Sequence, residues 1–131
     1  MANENGGRKE WTVLVAVVDD HVYTVTSITN FLESLGFRTI WAYNGKDCIK
    51  LCKEKSPDIL LLDMHLPDMP AFDVVKLLPA AQKFIFMVSS EDVEDYTQKF
   101  KNCLGFMKKP IDFGDLEDRL RKIFNIKKRE Y

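Results

Sequence analysis

The sequence predicts an α/β fold, a doubly wound sandwich with helices on both faces of a parallel sheet. Three observations carry this. Ile59–Asp63 reads Ile-Leu-Leu-Leu-Asp, and so short and continuous an apolar run fits a strand buried on both faces. Apolar runs of this kind alternate with helix-period segments along the whole chain, the pattern of βα units rather than of a bundle or a β-sandwich. The buried runs also end in polar residues capable of chemistry: Asp19-Asp20, Asp63, Ser89 and Lys109. In open α/β sheets the C-terminal edge of the strands is where ligands bind.

Each element has its own justification. Residues 11–18 are β-prone and almost wholly apolar, a first strand. Residues 22–35 place Val22, Val25, Ile28, Phe31, Leu32 and Leu35 at helical spacing and stop at Gly36. Residues 37–42 form a second strand. Asn44-Gly45 is a turn, and residues 46–54 are a helix with Cys48, Ile49, Leu51 and Cys52 inward. Ser56-Pro57-Asp58 then punctuates the start of the Ile59–Asp63 strand. A loop with Pro67 and Pro70 leads to a short helix over 72–78, stopped by Pro79. Residues 84–88 are a fourth strand, 91–102 an acidic and weakly amphipathic helix, and 104–107 a brief fifth strand. Asp112 opens a last helix with Phe113, Leu116, Leu120, Ile123 and Phe124 on one face. Residues 1–10, with Gly6-Gly7 and no periodicity, read as a disordered leader, 11–126 as one domain, and 127–131 as a basic tail.

The chain has 131 residues, is 46% hydrophobic and 30% charged, and carries a net charge of -1. That length suits a single core. The near-neutral balance gives no electrostatic reason to expect nucleic acid or an anionic membrane as a direct partner. No signal-peptide pattern and no apolar run near transmembrane length is visible, so a cytoplasmic location is expected. Cys48, Cys52 and Cys103 form no disulfide framework. Two thiols one turn apart with no neighbouring histidine make a poor metal clip, so all three read as small, half-buried core residues.

With the strands central, their tips meet at one edge: three carboxylates, one hydroxyl and one ammonium. Carboxylates at close quarters repel one another, and a hard divalent cation resolves the conflict; Mg²⁺ suits oxygen ligands and a phosphate bound alongside. A lysine supplies a point charge to phosphate, a serine hydroxyl a hydrogen bond, and a carboxylate can be the nucleophile that becomes an aspartyl phosphate. Phosphoryl transfer needs little beyond positioning and charge neutralisation. Acyl transfer fits less well: Ser89 has no G-x-S-x-G context, and His21, though near the acidic pair, reads with His65 as an exposed loop residue rather than a metal ligand.

Four motifs, Val17-Val18-Asp19-Asp20, Leu62-Asp63-Met64-His65-Leu66-Pro67, Val88-Ser89-Ser90 and Met107-Lys108-Lys109-Pro110, give the chain its resemblance to the receiver domain of two-component response regulators. The likeness runs from Trp11 to about Phe124, with the motifs in the family's order and spacing. It implies a flavodoxin-like sheet of order 2-1-3-4-5. It also implies a phosphorelay switch, not an enzyme with outside substrates. Asp63 would accept a phosphoryl group from a histidine kinase or phosphotransfer protein and promote only its own phosphorylation and dephosphorylation. Asp19, Asp20, Asp63 and the main-chain carbonyl of His65 would hold Mg²⁺. Lys109 and Ser89 would bond the phosphoryl oxygens, and Ser89 with Phe106 would form the switch. His65 and Glu91 flank the acceptor and are expected to tune the lifetime of the phosphorylated state. Readout, including homodimerisation, is expected on the face of the fourth helix, fifth strand and last helix. The alternative is a pseudo-receiver that docks or dimerises without phosphorylation. The chain departs from the family at Ala71, where glycine is usual, and at Ser90, where alanine is common; if position 71 needed a positive φ, the loop after Asp63 would have to take another path.

Overall fold

The computed structural model describes residues 7–89 and 97–128. Five strands, β1 (Leu14–Val18), β2 (Arg38–Ala42), β3 (Ile59–Asp63), β4 (Phe84–Val88) and β5 (Cys103–Lys108), form one sheet in the order β2-β1-β3-β4-β5, with every pairing parallel. The four helices among the described residues are α1 (Val22–Ser34), α2 (Gly45–Lys55), α3 (Ala71–Leu77) and α4 (Phe113–Phe124).

Strand alternation sorts the core into two layers. Val15, Val17, Ile59, Leu61, Ile85, Met87 and Met107 face α1 and α4, where Ile28, Leu32, Leu116 and Leu120 meet them. Ala16, Val18, Leu60, Leu62, Phe86 and Val88 face α2 and α3, where Cys48, Cys52 and Val74 close the layer. All five residues of β3 are buried, as expected of a strand covered on both faces. Cys48 and Cys52 are wholly buried rather than half-buried. The neighbouring Cys52 thiol, and burial with it, hold the Cys48 thiol far above its ordinary range, as befits a residue packed wholly inside the layer.

Apart from shifts of one residue at element ends, the structure departs from the sequence reading in three places. The first strand begins at Leu14, not residue 11: Glu10–Thr12 is a 3-10 turn. The Thr12 N–H and hydroxyl both bond the Lys9 carbonyl, at 3.0 and 2.7 Å, which bends the chain despite the β propensity of Trp11 and Thr12. Residues 7–10, expected within a disordered leader, are tied to the domain. The Arg8 N–H donates to the Asn125 carbonyl at 3.1 Å, and Glu10, only 3% exposed, is paired with Arg121 at 3.3 Å. Residues 1–6 and 129–131 lie outside the described residues. So do residues 90–96, with most of the acidic segment expected to be helical; its described part, 97–102, forms turns.

The β4–β5 pairing contains a bulge. Phe84 opposes Cys103 and Phe86 opposes Phe106, so Leu104 and Gly105 together face Ile85. Gly105 has φ +132°, a conformation that L side chains rarely adopt. Phe106 is the first residue back in register after the bulge, opposite Phe86.

Candidate functional site

Register brings the strand tips together. Val18 of β1 lies beside Leu62 of β3, so Asp19 and Asp63 are neighbours across the ladder. Beyond β4 and β5 the ladder continues through Lys109 N–H to the Val88 carbonyl at 2.8 Å, which carries Lys109 to the same edge. Its ammonium stands 2.6 Å from Asp19 Oδ2 and 3.1 Å from Asp63 Oδ1. The Lys109–Pro110 bond is cis.

Both carboxylates are out of water: Asp19 is 0% and Asp63 3% exposed. They respond in opposite directions. Burial pushes Asp19 up, but Lys109 and the His21 N–H outweigh it and hold its carboxyl below the ordinary value. Burial also pushes Asp63 up, and the Asp19 charge adds to it; the His65 N–H, at 3.2 Å, and Lys109 do not fully compensate, so Asp63 stays raised. Lys109 is desolvated too, but its two carboxylates keep its pKa above the ordinary value and the ammonium charged.

Asp20 and His21 form the open side. The His21 backbone N–H donates to Asp19 Oδ1 at 2.9 Å, and its Nδ1 lies 3.1 Å from both Asp19 Oδ1 and Asp20 Oδ1. Sequence reasoning placed His21 near the acidic pair and left it a loop residue. The structure makes it the N-cap residue of α1, with a ring that touches both carboxylates. Asp19, Asp20, His21 and Asp63 each offer a ligand atom, all within 4.8 Å of one another. Asp19 Oδ2 is fully buried and has no aligned hydrogen bond, only the ion pair. An acceptor of that kind, among three carboxylates, suits a hard divalent cation.

Ser89 is half-buried and follows β4 directly, at the same edge. Phe106 is half-buried on β5 and packs against the α2–α3 layer, away from the carboxylates. Its carbonyl accepts from Arg119 of α4 at 2.9 Å, a contact that sequence reasoning did not find. The His65 side chain is exposed beside Asp63; Ser90 and Glu91 lie outside the described residues. At the alanine departure the backbone is unstrained: Pro70 serves as N-cap with φ −62° and ψ 148°, and Ala71 starts α3 without a positive φ.

A sequence profile for the response regulator receiver domain matches residues 15–121. The chain belongs to the response regulator receiver domain family. It is 27% identical over 116 residues to the transcriptional regulatory protein CrdR of Helicobacter pylori, a match that covers 85% of this chain and 54% of the relative. It is 25% identical over 117 residues to protein PilH of Pseudomonas aeruginosa, covering 85% and 93%. The chain thus spans about half of the first relative and nearly all of the second. The CheY-like receiver domain from Methylobacillus flagellatus superposes with a TM-score of 0.73 at 24% identity, covering 85% of this chain and 98% of that one. The response regulator domain of Thermotoga maritima CheB gives 0.75 at 20% identity, covering 88% and 98%. The last two show the shared fold. No helix among the described residues is long and apolar enough to cross a membrane.

Proposed function

We propose that this receiver domain is a phosphorylatable switch with Asp63 as the acceptor. One observation carries the reading: the Asp63 carboxylate sits at a buried strand tip with its charge held between a like charge, Asp19, and a single ammonium, Lys109. A nucleophile in that position is poised to exchange its ammonium partner for a phosphoryl group.

In the reaction, a carboxylate oxygen of Asp63 forms a bond to phosphorus as the bond to the donor breaks. The donor is the phosphohistidine of a kinase or phosphotransfer protein, and its imidazole departs with the bonding electrons. Mg²⁺, when bound, neutralises charge building on the phosphoryl oxygens. Asp19, Asp20, Asp63 and the His65 carbonyl are the ligands we assign to it. Lys109 follows the charge from the Asp63 carboxylate to the phosphoryl group while keeping Asp19. Ser89 donates its hydroxyl to a phosphoryl oxygen, which favours one packing of the fourth and fifth strands over the other. Phe106, adjacent to the bulge, is the side chain assigned to turn in response, and β5 with α4 carries the change to a partner or a second copy. His65 borders the approach of hydrolytic water and tunes the lifetime of the state; Glu91 is given the same role from its sequence position.

The test is incubation of the chain with a small acyl phosphate and Mg²⁺, read by intact mass. Gain of one phosphoryl group by the wild type, its absence in Asp63→Asn, and its loss in EDTA are the expected results. Equal labelling of Asp63→Asn would overturn the assignment.

A further inference from the structure

The loop between β3 and α3 is held at a point that neither the acidic cluster nor its own helix explains. Its tip, Asp68, reaches back to the start of α2. Oδ1 accepts the Gly45 N–H at 2.7 Å and Oδ2 the Lys46 N–H at 2.9 Å. Asn44, the helix's own cap, takes a third amide, that of Asp47, at 2.8 Å. A helix leaves its first four N–H groups without intrahelical partners, and its N-terminus favours a negative charge. Asp68 meets both demands from the far side of β3. The Gly45 amide first, and Lys46 with it, hold the Asp68 carboxyl below its ordinary value, so the clamp is charged at neutral pH.

The neighbouring residues fit the same contact. A Cβ on residue 45 would come 2.5 Å from Met69 Cγ and 2.9 Å from Val74 Cγ2, so the loop rests on the helix start only because Gly45 has no side chain. At the loop's base, His65 and Pro70 form an antiparallel bridge, and the His65 N–H holds Asp63 Oδ1. His65 therefore sits between two fixed points, the strand tip and the Asp68 clamp.

We infer that Asp68 is a positioning residue for the cation site: by pinning the loop to α2 it fixes His65 against Asp63 and sets the affinity for Mg²⁺ without touching the ion. This rests on the ligand set proposed above. Partners one shell removed from a metal typically change its affinity 10–100-fold when lost.

The experiment is a Mg²⁺ titration of the full chain, followed by backbone amide resonances, on wild type, Asp68→Ala, Asp68→Asn and Gly45→Ala, with the melting temperature of each recorded. Asp68→Ala is expected to raise the half-saturating Mg²⁺ concentration about tenfold and to move the His65 amide resonance before any metal is added. Asp68→Asn keeps one carbonyl acceptor and should fall between the two. Gly45→Ala, which pushes Met69 outward, should weaken binding from the other side of the clamp. A folded Asp68→Ala that binds Mg²⁺ like the wild type, or whose His65 resonance is unmoved, overturns the inference and leaves the ligand set standing. A wild type that binds no Mg²⁺ overturns the ligand set, and this inference with it.

Discussion

Replacing Asp63 with asparagine should stabilise the metal-free protein while it abolishes phosphorylation. Asp63 lies within 4.8 Å of Asp19 and 3.1 Å from the Lys109 ammonium. At an effective dielectric of about 20, the first contact repels by about 3.5 kcal/mol and the second attracts by about 5 kcal/mol. The charge pairs alone therefore favour the ionised carboxyl by about 1–2 kcal/mol. Against this stands removal from water, several kcal/mol for a buried carboxylate, and Asp63 is only 3% exposed. The raised pKa of Asp63 shows that removal from water, with Asp19, wins. A raised folded-state value means that the group's contribution is full below the unfolded carboxylate range and is lost as pH rises through the folded value. At pH 7 the charge is therefore a net cost, and a neutral isostere removes it. The expected gain is about 1–2 kcal/mol, or a urea midpoint higher by roughly 0.5–1 M. The assay is urea unfolding at pH 7 in EDTA, repeated in Mg²⁺. Metal at a hundred times its dissociation constant adds about 2.7 kcal/mol to the wild type, which should reverse the order. An Asp63→Asn midpoint in EDTA at or below that of the wild type would refute the reasoning.

The companion carboxylate should behave oppositely. Asp19 is held below its ordinary value, so its contribution is present above the unfolded carboxylate range and fades as pH falls through the folded value. Asp19→Asn should destabilise at pH 7, and its deficit against wild type should shrink in acid unfolding curves. Lys109→Met leaves Asp19 and Asp63 facing each other without a cation; a loss of about 3 kcal/mol is expected in EDTA, partly restored by Mg²⁺ in the same urea assay. Arg121→Ala strands the buried Glu10, with which it pairs at 3.3 Å. A cost of about 3 kcal/mol is expected, and Glu10→Gln in the same background should recover part of it by thermal unfolding.

The acidic edge was legible because of one regularity. A strand covered on both faces must be apolar along its length, so Asp63 and Asp19 stand out as the places where the apolar runs end, and parallel topology does the rest. Contacts made across long sequence separations left no such mark. Glu10 and Arg121 are 111 positions apart, and nothing near Glu10 distinguishes it from a solvated charge. Asp68 reads as an ordinary turn residue, because its partners are backbone amides of another helix. His21 is visible as a histidine beside two acids, but only the folded chain shows its Nδ1 lying 3.1 Å from both. The opposite error occurred at residues 11–13, where β-prone side chains suggested strand and a threonine hydroxyl bent the backbone instead. A lone glycine in a strand pattern signals a bulge, and Gly105 is one such signal.

The Arg8–Asn125 hydrogen bond makes the polypeptide enter and leave the domain at nearly the same point. That point lies at the pole opposite Asp63, where α4 finishes and Arg8 faces Asp58 and the Phe124 ring. The fold is in this sense a closed circuit with its seam at the back. A short peptide joining 125 to 8 would leave the sheet intact, and new ends could be opened in an exposed loop such as the one around Pro79 and Ala80. It also means that the described backbone enters at Arg8 and leaves at Asn125 on the side of the domain away from the acidic pole.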